Sequence, residues 1–292
     1  MPPLPDGLTS TPALAEALRA LSAAQLSAGA AHATLSLAQA RAFAREFGCG
    51  VGEVEWQALV SGVAPLRYER NLGTIQMAGQ ARLLRATVAV VGCGGLGGWV
   101  IEGLARMGVG HLILIDSDCF EESNLNRQLG CLEHTVGRHK APCLAERVRA
   151  VNGAVTTTVH VERLVPGNAA ALLEGAEVVV DALDTIPDRL VLARAARALG
   201  LPMVHGAIGG YSGQVMTILP GDPGLEALYS GAHVPARGVE TGLGNPAATP
   251  MMVAAWQVQE VVKLLVGEGA LLRGRLLVLD AEYAEVTEIR LS

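Results

Sequence analysis

The stretch from Thr87 to Gln128 constrains this chain more than any other. It opens with Thr87–Val91, T-V-A-V-V, a short apolar run rich in β-branched residues. Gly92, Gly94 and Gly97 follow in G-x-G-x-x-G register, with a further glycine at Gly95. Leu96 to Met107 are largely helix formers, and a second apolar run, His111–Ile115, ends on Asp116. Strand, glycine turn, helix, strand and terminal acid make one βαβ unit with the dinucleotide-binding fingerprint. The glycines allow a tight turn and let phosphate oxygens approach the backbone. The helix that follows presents unpaired N–H groups and the positive end of its dipole to an anion. Asp116 is placed to accept hydrogen bonds from ribose hydroxyls. The unit predicts an adenine nucleotide and not yet a reaction, because nicotinamide-dependent oxidoreductases share it.

Two further features separate these readings. A second carboxylate, Asp118, is followed by a polar cluster, Ser123, Asn124, Asn126, Arg127 and Gln128, with Leu125 inside it. Arg127 is a permanently charged planar fork suited to phosphate. Downstream, V-G-R-H-K supplies Lys140, and V-V-V-D-A-L-D-T ends an apolar run on Asp181, Asp184 and Thr185. Two cations and a strand-end acid suit a triphosphate with magnesium better than a nicotinamide. Strand-end acids also cap helices, so Asp181 and Asp184 keep that second reading.

Taken in order, these motifs resemble the ThiF/MoeB/HesA family, bacterial relatives of the ubiquitin-activating E1 enzymes. The matching segments are R-Y-E-R-N (67–71), G-C-G-G-L-G (92–97), D-S-D (116–118), S-N-L-N-R-Q (123–128), V-G-R-H-K (136–140), D-A-L-D (181–184) and G-Q-V (213–215). The resemblance implies an ATP- and Mg2+-dependent adenylyltransferase that activates the Gly-Gly carboxylate of a small ubiquitin-like sulfur carrier. It places the nucleotide against Gly92, Gly94, Gly95 and Gly97, the ribose on Asp116, and the phosphates on Asn124, Arg127 and Lys140. Asp118, Ser123, Leu125, Asn126 and Thr185 complete that contact set, and Asp184 holds or positions magnesium. Arg70 matches the family arginine that reaches across a homodimer into the neighbouring site.

Two departures from the family pattern stand out. Relatives with a structural zinc carry two C-x-x-C motifs, whereas no Cys follows Cys143 here, so no zinc site of that kind is expected. Relatives that form an enzyme thioester carry C-x-E-x-G before a late helix. The matching stretch here is Gly238-Val239-Glu240-Thr241-Gly242, without the Cys. Adenylation without a covalent intermediate at that position is expected, with sulfur coming from a separate donor protein. Cys93, inside the glycine turn, reads as a small packing residue.

Composition agrees with a globular chain. Half of the 292 residues are apolar, enough for a sizeable core, and the net charge of −6 speaks against a nucleic-acid partner. The five scattered Cys suggest reduced thiols rather than a disulfide framework. No signal peptide or membrane-spanning run is evident, and a cytoplasmic location is expected. The Pro-rich start reads as disordered, and Gly231–Gly244 as a mobile crossover loop.

The expected architecture is α/β: a Rossmann-like doubly wound sheet, mostly parallel with antiparallel C-terminal strands, preceded by a helical extension. Residues 1–66 form the extension and 67–292 the adenylation domain. Leu14, Leu18 and Leu21 mark a helical stripe, and helices are expected before Gly48 and over Gly52–Leu59. Arg67–Asn71 reads as a connector. Helices are expected over Lys140–Val151, Arg189–Leu199 and Met251–Val266, with strands at Glu177–Asp181 and Pro202–His205 and two closing strands. Competing readings are an enzyme of the same fold acting on another carboxylate, such as a tRNA threonylcarbamoyladenosine dehydratase, or a non-catalytic nucleotide-binding scaffold. A nicotinamide oxidoreductase is more distant.

Overall fold

The computed structural model describes residues 12–229 and 240–291. The Pro-rich start, the bulk of the 231–244 loop, and Gly238 with Val239 lie outside the described residues. The chain divides after Arg85 into two compact units.

The first unit is helical. It contains α1 (Pro12–Ser27), β1 (Ala33–Leu35), α2 (Leu37–Glu46), α3 (Val51–Val60), β2 (Val63–Pro65), a 3-10 helix (Leu66–Asn71) and α4 (Leu72–Arg85). The leucine stripe does what its spacing dictates: Leu14 and Leu18 are buried, and Leu21 packs beside them against Leu35, Ala40, Val54 and Val63. Ser36 caps α2, with Gln39 returning the bond in a capping box. The two three-residue strands pair in parallel, Ala33 opposite Val63. Nothing in their short apolar runs distinguishes them from loop. Arg67–Asn71, expected as a connector, is wound into the 3-10 helix, with Tyr68 buried against Leu59 and Leu84.

The second unit carries the expected sheet. Its elements are β3 (Thr87–Val91), α5 (Gly95–Met107), β4 (His111–Ile115), α6 (Lys140–Val151), β5 (Thr156–His160), α7 (Ala169–Leu172), β6 (Val178–Asp181), α8 (Ile186–Ala198), β7 (Met203–Gly209), β8 (Ser212–Ile218), α9 (Leu225–Leu228), α10 (Glu240–Leu243), α11 (Ala248–Val266), β9 (Arg275–Asp280) and β10 (Glu285–Arg290). The eight strands lie in the order β10-β9-β8-β7-β6-β3-β4-β5. The five from β5 to β7 are parallel, and β8, β9 and β10 join antiparallel.

Burial follows from the pleat. Ala89, Val91, Ile113 and Ile115 face a cluster with Leu172, Leu192, Ala193 and Ala196 from α7 and α8. Their neighbours Val88, Val90, Leu112 and Leu114 are equally buried and point the other way, toward the layer of α5, α6 and α11. Strands covered on both faces read as continuous apolar runs, which is why they are visible in the sequence. The helix α8 starts three residues earlier than expected, because Thr185 caps it and Pro187 fits its first turn. The strand β7 runs on through Gly206 to Gly209 before turning into β8.

This topology positions a site. From β3 the chain moves outward to β4 and β5, then returns to place β6 on the other side of β3. Strand order reverses there, and a crevice opens at the carboxyl ends of β3 and its neighbours.

Candidate active site

A cavity of ≈560 Å³ occupies this crevice. That volume lies within the roughly 300–1,000 Å³ range of small-molecule sites. Its wall includes Gly92, Gly94 and Gly95 from the glycine turn, Asp116 and Asp118 after β4, Arg127, Lys140, and Asp184 and Thr185 after β6.

The turn can only be built from glycine at two points. Gly92 has φ +95°, and a Cβ there would sit 2.5 Å from the Ala182 carbonyl oxygen. At Gly97 a Cβ would lie 1.8 Å from the Gly92 carbonyl oxygen, so the first turn of α5 packs directly on the end of β3. The backbone thus stays bare where an anion would approach it.

Asp116 ties the turn in place. Its Oδ2 accepts the Cys93 backbone N–H at 2.6 Å, and its Oδ1 accepts the Asp118 N–H at 2.8 Å. Burial raises its pKa; Lys140 and the two backbone donors oppose that shift. Burial also pushes the Cys93 thiol well up, with Asp116 adding to the effect. A thiol so held is a packing group and a poor nucleophile.

Lys140 opens α6 and is largely buried, with its ammonium 3.0 Å from Asp118 Oδ2. Its backbone N–H donates to the Asp118 carbonyl at 2.9 Å, so this cation and acid are joined twice. Arg127 lies across the turn, where a Cβ on Gly95 would be 3.5 Å from its Cγ. Its Nη1 donates to the Ser123 carbonyl at 3.0 Å and to Asn126 Oδ1 at 2.7 Å. Asp184 is exposed at the cavity wall, with no hydrogen-bonding partner among the described residues.

Other residues of the expected contact set stand elsewhere. Ser123, Asn124, Leu125 and Asn126 are absent from the cavity wall, which takes Arg127 and Gln128 from that segment. Asn124 is buried, and its Oδ1 accepts the Glu121 N–H at 3.0 Å, shaping the turn that carries Arg127. Arg70 is exposed on the 3-10 helix of the first unit. Asp181 is wholly buried. It bonds His205 Nδ1 at 2.7 Å and Arg189 at 3.2 Å, and accepts the Leu183 N–H at 3.0 Å. It braces the loop before Asp184 and does not cap α8, a task that falls to Thr185.

Sequence reasoning passed over Ser117, Glu162, Arg163, Asp188 and Arg189, all of which line the cavity. Arg163 had a usable signal: it follows β5 directly, and residues after a parallel strand face the crevice. Among the described residues, no group of three His, Cys, Asp or Glu is arranged to hold a metal. None of their helices is long and apolar enough to cross a membrane.

Comparison with known proteins shows the family. The ThiF family model matches residues 68–292. The SAMP-activating enzyme E1 of Haloferax volcanii is 39% identical over 74% of this chain and 81% of its own length. The sulfur carrier protein adenylyltransferase of Thermus thermophilus is 35% identical over 76% of this chain and 86% of its own. Among solved structures, E. coli MccB with ATP superposes with TM-score 0.67, at 20% identity, over 77% of this chain and 71% of that one. At that identity the likeness shows the fold alone. The chain belongs to the ThiF family.

Proposed function

We propose that this protein is an ATP-dependent adenylyltransferase acting on the C-terminal Gly-Gly carboxylate of a small ubiquitin-like sulfur carrier. The observation that carries the reading is the convergence of Arg127, Lys140, Asp116 and Asp184 with the glycine turn on one cavity. The two relatives named above are a SAMP-activating enzyme E1 and a sulfur carrier protein adenylyltransferase.

The carrier carboxylate attacks the α-phosphorus of ATP, the bond to the β-phosphate oxygen breaks, and diphosphate leaves. The protein's task is positioning and charge stabilisation. Asp116 orients the ribose while holding the turn. Arg127 and Lys140 neutralise charge on the phosphates, and Lys140 leaves Asp118 as it does so. Asp184 supplies a carboxylate with no hydrogen-bonding partner among the described residues, which would suit Mg2+, an ion that keeps waters and phosphate oxygens as most of its ligands. Bound there, magnesium would offset charge on the leaving diphosphate. The functional domain is residues 67–292, because Arg70 works with the nucleotide. It does so from the partner of a homodimer, as an arginine finger. Sulfur reaches the activated carrier from a separate donor, in a cytoplasmic pathway.

Mass spectrometry of a Gly-Gly carrier incubated with protein and MgATP tests this. A carrier gaining one AMP, lost when its final glycine is removed, is expected. An unmodified carrier alongside AMP transfer to a tRNA-linked carboxylate would favour the competing reading. Mixing Arg70→Ala with Asp184→Ala protomers should restore roughly a quarter to a half of wild-type activity through one intact site per heterodimer. No recovery would remove the trans role of Arg70.

A further inference from the structure

Arg163 leaves the carboxyl end of β5, and Asp188 stands in the first turn of α8, just after β6. In the sheet these two strands are separated by β4 and β3, roughly 14 Å of strand spacing. Yet Arg163 Nη2 lies 2.9 Å from both carboxylate oxygens of Asp188. The ion pair therefore bridges the crevice above the ends of the two middle strands, which carry the glycine turn and Asp116. Both residues line the cavity.

The clasp is anchored on one side only. Asp188 is fixed by Thr185, whose hydroxyl donates to it at 2.7 Å and accepts its backbone N–H at 3.3 Å. Arg163 is two-thirds exposed, and its Nε and Nη1 have no partner among the described residues. An exposed pair of this kind adds little stability, so it opens readily. Its direction along the crevice follows from strand order. The phosphate turn ends β3 and the ribose acid ends β4, so the loop after β5, with Arg163 and Leu164, meets the base.

We infer that Arg163, oriented by Asp188 across the crevice, is a positioning and specificity residue that covers the nucleoside of the bound nucleotide with its guanidinium face. This rests on the reading of the cavity as an ATP site. A planar cation over an aromatic base is favourable, more so once water is excluded.

Calorimetric binding of ATP, AMP and inorganic tripolyphosphate to wild type, Arg163→Ala, Arg163→Lys and Asp188→Asn tests it, beside steady-state kinetics. Arg163→Ala should weaken ATP and AMP by the same factor, about five- to thirty-fold, and leave tripolyphosphate binding unchanged. The KM for ATP should rise by that factor with kcat kept within about twofold, the mark of uniform binding. Arg163→Lys should recover only part of the loss, since charge returns without the planar face. Asp188→Asn should act in the same direction, and the double variant should be no worse than Arg163→Ala. Weakened tripolyphosphate would make Arg163 a phosphate ligand, and unchanged AMP would remove it from the site; either result overturns the inference. Wild type failing to bind ATP at all would instead overturn the nucleotide reading, so the two failures are distinguishable.

Discussion

Asp116 Oδ2 accepts the Cys93 backbone N–H at 2.6 Å, so the acid that ends β4 also closes the glycine turn that ends β3. One carboxylate links the two halves of the βαβ unit and faces the cavity between them. Asp116→Ala leaves two backbone donors without their acceptor, a cost of about 1–3 kcal/mol each where water cannot replace it. Chemical denaturation should show a loss of at least about 1 kcal/mol, and calorimetry should show ATP binding lost with it. Full stability with ATP binding lost would assign Asp116 to the ligand alone.

The glycines of the turn separate packing from ligand access. Gly97→Ala should lower stability by about 1–3 kcal/mol or more, because its Cβ meets the Gly92 carbonyl and backbone must shift. Gly95→Ala meets the flexible Arg127 side chain first, at 3.5 Å, and should keep its melting temperature while weakening ATP. Thermal unfolding followed by ATP titration checks both; equal melting temperatures for the two variants would contradict the packing argument.

Lys140 is held by Asp118, whose side chain is 66% exposed and readily hydrated. Lys140→Met leaves Asp118 to water, so its stability cost is confined to the loss of positive charge beside buried Asp116. If Lys140 holds the phosphates as proposed, losing its charge should slow adenylation by about 100-fold or more. Single-turnover AMP release reads this; a rate near wild type would place Lys140 outside the chemistry.

The buried pair His205–Asp181 sets a pH dependence of stability. Burial holds His205 below the ordinary imidazole value, against the opposing pull of Asp181. Burial raises Asp181, but Arg189 and His205 outweigh it and the carboxyl sits below its ordinary value. Both groups bind protons more readily when unfolded, so each contributes stability that falls on acidification. The His205 contribution is complete above about pH 6.5 and declines below it, while that of Asp181 declines only below about pH 4. Burial lowers His111 too, with the same sign. Denaturant unfolding at pH 8 and pH 5.5 should show wild type losing more stability than His205→Gln. Equal losses would mean His205 carries no linked proton.

Much of this was legible in the chain itself. The runs Thr87–Val91, His111–Ile115 and Val178–Asp181 are apolar throughout because the sheet is covered on both faces, and Lys140–Val151 carried its helical spacing openly. What escaped notice depends on partners far away in sequence. Ala33–Leu35 and Val63–Pro65 become strands only by pairing with each other. Asp181 reads as a strand-end acid with helix capping as a second reading, whereas Arg189 and His205, from later elements, are what fix it. Motif matching grouped Ser123 to Arg127 as one contact surface, whereas the fold spends Asn124 on shaping the turn and brings Arg127 to the cavity. The position of Arg163 after β5 is legible, whereas its pairing with Asp188, 25 residues on and across the crevice, is not.

In the proposed reaction Asp184 faces the phosphates of ATP while the carrier carboxylate is activated. Carrier-dependent exchange of labelled diphosphate into ATP, compared between wild type and Asp184→Ala, tests this most directly. Wild type should exchange only when a carrier with its Gly-Gly carboxylate is present. Asp184→Ala should fold and still bind nucleotide, with exchange down by about 100-fold or more. Exchange at the wild-type rate in Asp184→Ala, or exchange in wild type that ignores the carrier, would contradict it.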